Sequence, residues 1–420
     1  MRGAALAFAL VTSVTPAQAQ DPTPPAVDSL RQRLEDLEAT IEMLREQLAT
    51  EAGTAVRTRS RAALELRGRV LMNSLFTSGR TNNVDVPLVA AATLPEQRPG
   101  GGTITMRQTM LGFAVTAPDV VGAHFTGDLD VDFFGGQVAS TGGRHFPLLR
   151  LRTARATLAW NRVTLMAGQE TPLIADIDPV SLASVGTPGF TTAGNLWLWL
   201  PQIRATVESP GAVRVAFQGA VLAPTPITAQ TAFNTSFDAA ERSRMPSLQA
   251  RLSARWGSEE SAAEVGIGVH RGRARAQADS VERHSEAIAV SASVPFLGIF
   301  EFRGEAFDGQ LLSGLGGGGI GQGFSDDGRP VRARGGWGQL NLRPNARWVL
   351  GIGSGVDAAN VDDVPAVSAR IRNDVDALHA QWTPTGPLLF GLEYRRIRTA
   401  YRDAARQKAH HINLAVGFQF

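Results

Sequence analysis

The chain has no cysteine in its 420 residues. That excludes a disulfide framework, a thiolate metal site and a cysteine nucleophile. Lysine is almost missing. Lys408 is the only one, and arginine supplies every other basic side chain. Charge of either sign is sparse at 19%, below the roughly 25% of ordinary globular chains. The formal net charge is only +2, which points to no nucleic-acid partner. Beyond residue 20 no run of 18 or more apolar residues occurs, so no transmembrane helix is encoded there. What the chain has in quantity is glycine, with 44 residues, and a 43% hydrophobic content that must be spread in some pattern.

The N-terminus reads as targeting sequence. Arg2 precedes the apolar run Gly3–Val14, and Ala17-Gln18-Ala19 has the small-x-small form of a cleavage site. Residues 1–19 are therefore expected to be a secretory signal peptide, and 20–27 a Pro-rich spacer. Residues 28–52 follow with Leu30, Leu34, Leu37, Ile41, Leu44 and Leu48 spaced 4-3-4-3-4, which are the a and d positions of a coiled coil. Asp28 or Ser29 can cap this helix and Gly53 can end it. Arg33 and Glu38 flank an a/d pair as in short trimeric coiled coils. An isolated helix of this length is marginal, so self-association into a homotrimer is expected.

From residue 64 to residue 420 the period changes to two. Phe125, Leu129 and Val131 alternate with Asp128, Asp130 and Asp132. Leu248, Leu252 and Trp256 alternate with Gln249, Arg251 and Arg255. Ile412, Leu414, Val416, Phe418 and Phe420 close the chain. Such segments are about ten residues long, as a tilted membrane strand requires. Tight links are expected at 117–122, 161–162, 209–211, 257–260, 295–298, 344–346 and 384–387. Long links are expected at 78–102, 135–147, 170–200, 223–245, 272–283, 309–330, 356–366 and 399–407. Short and long alternate, so the fold class is all-β: an antiparallel transmembrane β-barrel of sixteen strands, give or take two, preceded by a short coiled-coil helix. Trp160, Trp256, Trp348 and Trp382 sit beside tight links, where an interfacial girdle belongs. The terminal Phe420 resembles the signal read by the bacterial outer-membrane assembly machinery.

Sixteen strands leave room for an aqueous channel. Arg150, Arg152, Arg204, Arg214, Arg251, Arg255, Arg370, Arg372 and Arg395 are candidates for its wall. Arginine on a wall attracts carboxylates and phosphates and can hold them bidentately. Asp128, Asp130 and Asp132 form an opposing acidic row one or two strands away, which would set a transverse field against the arginines. Arg303 lies between Glu301 and Glu305 and is expected to be neutralised locally. The third long link, 170–200, is too apolar for a free tip, and is expected to fold inward and narrow the lumen.

Ala167-Gly168-Gln169, Leu200-Pro201-Gln202-Ile203-Arg204 and the glycines of 316–323 after Phe307-Asp308-Gly309 resemble segments of the DcaP-like trimeric porins. In layout the resemblance covers nearly the whole chain after the signal. It implies a homotrimer in the outer membrane with its coiled coils in the periplasm. It further implies passive diffusion of small hydrophilic anions, such as dicarboxylates, with Arg204 carried over by motif. The acidic row and the apolar third loop depart from that pattern. Phosphate-selective porins share the layout but rely on lysine as well.

Other signals are weak. Gly316–Gly321 contains G-x-G-x-x-G without the strand–helix context of nucleotide binding, and reads as an outer loop. His410-His411 lacks ligand spacing, so no metal site is expected, and no cofactor. Asp326-Asp327 and Asp362-Asp363 read as solvated loop acids. No serine–histidine arrangement of a barrel enzyme is found, so no enzymatic activity is expected. A non-conducting anchor remains the rival reading, although a coiled coil of about 24 residues reaches only roughly 36 Å.

Overall fold

The computed structural model describes Val56, Arg57 and residues 62–420, apart from 94–97, 140, 226, 228–235, 259–260 and 277–280. The signal, spacer and coiled coil expected at 1–52 lie outside the described residues.

The unit spanning Arg57–Phe420 is a closed antiparallel barrel of sixteen strands. They are β1 (Ala63–Thr77), β2 in two pieces (Gly101–Thr105 and Met110–Val120), β3 (Ala123–Asp132) and β4 (Arg150–Ala159). Next come β5 (Val163–Glu170), β6 (Leu200–Glu208), β7 (Val213–Leu222) and β8 (Ser247–Trp256). The longer strands follow: β9 (Ala263–Arg275), β10 (Glu282–Phe296), β11 (Phe300–Gln310) and β12 (Arg332–Asn345). The last four are β13 (Trp348–Ala359), β14 (Arg370–Trp382), β15 (Leu388–Tyr401) and β16 (Gln407–Gln419). Every tight and long link expected from the sequence spans the break between a pair of these strands, and some also take in strand ends, as 272–283 takes in the last four residues of β9 and 356–366 the last four of β13.

Closure follows from the cost of an unpaired backbone in lipid. β16 returns to β1 with a ladder running from His411 opposite Thr77 to Gln419 opposite Arg69. The chain end completes it: Phe420 N donates to Gly68 O at 3.0 Å and Gly68 N donates to Phe420 O at 2.8 Å. A Cβ on Gly68 would lie 2.7 Å from the Phe420 ring, so the missing side chain is what lets that ring cover the seam.

Burial is inverted relative to a soluble protein. On β8, Leu248 and Leu252 are exposed while Gln249, Arg251 and Ser253 are buried. On β16, Ile412 and Leu414 are exposed, whereas His411 and Asn413 are buried. This is the lipid-out, polar-in alternation of a membrane barrel. Aromatic side chains gather at the short-turn rim. Trp348 stacks on Trp382 at 5.8 Å, and Trp382 meets Phe390 at 5.3 Å. Trp256 is exposed at the same rim, and Trp160 stands in the β4–β5 turn.

The apolar core lies inside the barrel. Residues 171–199, between β5 and β6, are almost continuously buried. Leu173, Ile174 and Leu196 of this loop pack with Leu222, Phe307, Leu312 and Leu315. Phe190 stacks on Trp337 of β12 at 5.6 Å. Gly355 of β13 makes room for it, since a Cβ there would sit 2.2 Å from Ala193 O and 2.9 Å from the Phe190 ring.

Candidate functional site

The third long loop does fold inward, and the polar inner wall explains how it stays there. Gln108 donates to Ala183 O at 2.9 Å and accepts from Val185 N and Gly186 N at 2.8 and 2.7 Å. Gln339 of β12 brackets Val180, accepting from its N–H at 2.7 Å and donating to its carbonyl at 3.0 Å. Glu305 of β11 accepts from Ile177 N at 3.0 Å, and Gln249 of β8 accepts from Ile174 N at 3.3 Å. Asn373 of β14 donates to Thr192 O at 3.0 Å. The loop is thus fastened to walls on several sides of the barrel, and polar residues that periodicity marks only as inward serve to satisfy its backbone.

Two aspartates ride on this loop. Asp176 Oδ2 lies 2.8 Å from Arg251, whose guanidinium also meets Glu264 at 2.8 Å and Ser291 at 2.9 Å. Burial pushes the Asp176 carboxyl up to about 6; Arg251 pulls it back down, and Glu264 adds to the rise. Asp178 is also raised by burial, and Arg303 donates to its backbone carbonyl at 2.8 Å.

The acidic row lies on the face of β3 opposite the exposed Leu129, but no free acidic wall results. Asp132 is held by Arg150 at 2.6 Å and Arg152 at 3.0 Å. Asp130 is held by Arg67 at 2.9 Å. Asp128 is held by Arg155 at 2.7 Å, and Arg155 also pairs with Glu170. Four arginines from β1 and β4 therefore offset Asp128, Asp130, Asp132 and Glu170, which removes the expected transverse field at this sector. Arg67 and Arg155 were not anticipated. The reason is a bulge in β4. Asp130 pairs with Thr153 and Val131 with Leu151, leaving Arg152 as the extra residue. Strict alternation from Arg150 puts Arg155 outside; the bulge turns it in. Arg152 uses its position to bond Val185 O at 2.6 Å and to lie 4.3 Å over the Trp199 ring.

A second bulge corrects another expectation. Leu378 on β14 is exposed to the outside, and Asp376, Asp374 and Arg372 share its face. Arg372 is therefore on the outer wall, paired with Asp374 at 2.7 Å. Arg370 pairs with Tyr401 and Arg372 with Ala400, so Ile371 is the extra residue that turns Arg370 back inward.

The remaining candidates face in, in two kinds of setting. Arg395 is buried against Glu393 and bonds Ser184 at 3.1 Å, so it anchors the loop. Arg251 is buried beneath the loop as described above. Arg204 donates to Thr171 O at 2.9 Å and to Gln202 at 3.1 Å, with no carboxylate in ion-pair reach among the described residues. Arg214 and Arg255 stand directly opposite each other in the β7–β8 ladder and also lack such a partner. Arg69 on β1 is a further inward arginine of this kind, missed because Leu64–Val70 alternates poorly. Glu65 and Glu208 are accessible inward acids near the short-turn end.

Arg303 is neutralised by Glu301 at 3.4 Å, as expected. The glycine loop folds into the mouth of the barrel. Gly318 N and Ile320 N donate to the Asp357 carboxylate at 3.0 and 3.1 Å, so its N–H groups are already used by the protein. His411 is buried and bonds Thr77 at 2.9 Å, while His410 bonds Tyr394 at 2.8 Å on the outer face. Asp363 is paired with Arg332 at 2.6 Å, and that hydrogen bond holds its carboxyl below the usual range. No metal-holding cluster occurs among the described residues.

No protein-family model matches the chain, and no curated protein sequence matches it. Solved structures do. The outer membrane channel DcaP of Acinetobacter baumannii superposes with a TM-score of 0.67 at 16% identity, over 87% of this chain and 100% of that one. An anion-selective porin from Comamonas acidovorans gives 0.54 at 11% identity, over 86% and 100%. A loop-deletion mutant of OmpT of Vibrio cholerae gives 0.53 at 8%, over 86% and 99%. The chain is similar to these in fold, and the resemblance to DcaP read from the sequence holds at that level.

Proposed function

We propose that the protein is an outer-membrane porin that lets small hydrophilic solutes diffuse passively, with a preference for carboxylate-type anions. The observation that carries this is the wall of β6–β8. Arg204, Arg214, Arg251 and Arg255 all face in, and among the described residues only Arg251 of the four has carboxylate partners. Like charges directly opposite, as Arg214 and Arg255 are, cost stability unless something else uses them. A passing carboxylate can bridge both, and a basic wall raises the local anion concentration. The acidic row cannot cancel this sector, because its charges are already matched by Arg67, Arg150, Arg152 and Arg155.

The loop 171–199 supplies the narrow part of the path. The heptads at Leu30–Leu48 support a homotrimer with its coiled coils in the periplasm. Phe420, seated on Gly68 at the seam, suits an end recognised during barrel assembly. Passive diffusion requires no catalytic group or cofactor.

Liposome swelling tests the reading. Vesicles carrying the protein should admit a C4 dicarboxylate faster than a neutral sugar of similar size. The double variant Arg214→Gln/Arg255→Gln should cut that advantage about twofold. Equal swelling for both solutes would sink the anion preference. Preference for phosphate over the dicarboxylate would favour a phosphate-type pore. No swelling at all would favour the anchor.

A further inference from the structure

The outer wall of β11–β16 is not uniformly apolar, and its departure has a direction. On β14 the outward side chains run Trp382, Ala380, Leu378 from the short-turn rim, then Asp376, Asp374 and Arg372 toward the long loops. On β15 the run is Phe390, Leu392, Tyr394, then Arg396 and Arg398. On β12, Leu342 and Leu340 give way to Gly338, Gly336 and Arg334. On β7 and β8, Val213–Val221 and Leu248–Trp256 keep apolar side chains outward along the strand, while β9 grades from Val265, Ile267 and Val269 to Arg271 and Arg273, which pair there with Glu286 and Glu282.

The polar part is built, not scattered. Asp376 accepts from Arg396 at 2.7 Å, from Arg398 at 3.1 Å and from Ser354 at 2.9 Å. Lys408 lies opposite Arg398 in the ladder, and Arg334 lies opposite Ala358, which in turn pairs with Arg372. Neither Arg334 nor Lys408 has an ion-pair partner among the described residues. Five basic groups thus face Asp374, Asp376 and Asp308. Charge on a lipid-facing wall costs about 2–4 kcal/mol for Arg or Lys at the bilayer midplane and almost nothing near the headgroups.

Grooves connect the two parts. One of about 510 Å³ is lined by Arg334, Arg372, Gly336 and Ala306. It shares Gly338 and Ser354 with a second of about 660 Å³, whose walls include Phe302, Leu340, Ile352 and Leu378. The outward glycines make this surface concave.

We infer that this face binds a phosphate-bearing glycolipid of the outer leaflet, with lipid A chemistry. Its acyl chains lie in the apolar groove and its phosphates on Arg334, Arg372, Arg398 and Lys408. An amphiphile matches a wall that grades from apolar to basic toward the outer rim. A second protein copy gives no reason for that gradient or for the excess of basic groups. The inference rests on the outer-membrane placement proposed above and not on which solute passes the pore.

The test uses the full-length protein, extracted in detergent and analysed by native mass spectrometry after incubation with purified bisphosphorylated lipid A. The wild type should retain about one lipid per barrel and bind its dephosphorylated form about tenfold less. The variant Arg334→Gln/Arg372→Gln/Lys408→Gln should lose about tenfold in retention while its barrel stays resistant to SDS at room temperature. Gly336→Leu, which fills the groove and leaves the charges, should also weaken binding. Equal retention by wild type and variants would overturn the site, as would equal affinity for the dephosphorylated lipid. Variants that fall to monomers with lipid per barrel unchanged would assign the face to a second copy instead. Fractionation away from the outer membrane would defeat the placement, independently of these readouts.

Discussion

A single arginine on the inner wall of this barrel does one of two jobs, and its neighbours decide which. Arg150, Arg152 and Arg395 are committed to carboxylates and to the backbone of the loop. Arg204, Arg214 and Arg255 are not, and these carry the expected selectivity. Asp176 makes the balance depend on pH. Its carboxyl is raised to about 6, so the folded protein holds that proton more tightly than the unfolded chain does. The sign follows: the residue favours the fold below its ordinary value of 3.8, and that contribution is lost as pH rises through about 6. In the channel, protonation frees Arg251 from one of its two acids. Chloride preference should therefore rise about twofold between pH 7.5 and 5, read as reversal potential in a salt gradient. Asp176→Asn should show the low-pH value throughout; a variant that still titrates near 6 would show that another group is responsible.

At the level of elements, the strands and their links were legible and the facing of particular residues was not. Alternation such as Leu248–Trp256 identifies a membrane strand because lipid and lumen demand opposite chemistry on successive residues. Bulges break that inference without leaving a mark in composition. The one at Arg152 hid Arg155, and the one at Ile371 put Arg372 outside the barrel. The inward loop was legible because a segment with Pro172, Pro179, Pro188, Trp197 and Trp199 is too apolar for a solvated tip. Its tethers were not, since Gln108, Gln339 and Asn373 look like any lumen residue until the loop is in place. Deleting Ile174–Thr192 should raise single-channel conductance, about twofold or more, because the barrel wall does not depend on the loop for its own pairing. Unchanged conductance would mean that the narrowest point lies elsewhere. The seam offers a separate check. Gly68→Val should displace the Phe420 ring, and Phe420→Ala should remove it. Thermal unfolding of the two variants and the double should show a coupling of about 1 kcal/mol, and strict additivity would mean that the ring and the glycine act independently.

At the largest scale, the unit Arg57–Phe420 is a closed sheet whose polar interior is partly refilled with an apolar core. Closure satisfies the backbone in lipid, and the packed loop narrows the water-filled space that sixteen strands would otherwise leave. The length of the strands and the parity of the links were enough to specify that architecture. The sequence alone could not show that the acidic row and its arginines cancel, because cancellation depends on which strands become neighbours. The most direct test of the account is planar-bilayer recording of the purified protein in a potassium chloride gradient. The account predicts an open, anion-selective channel, with conductance steps in threes from a trimer. Cation selectivity would contradict the basic β6–β8 wall, and the absence of any conductance would contradict the pore.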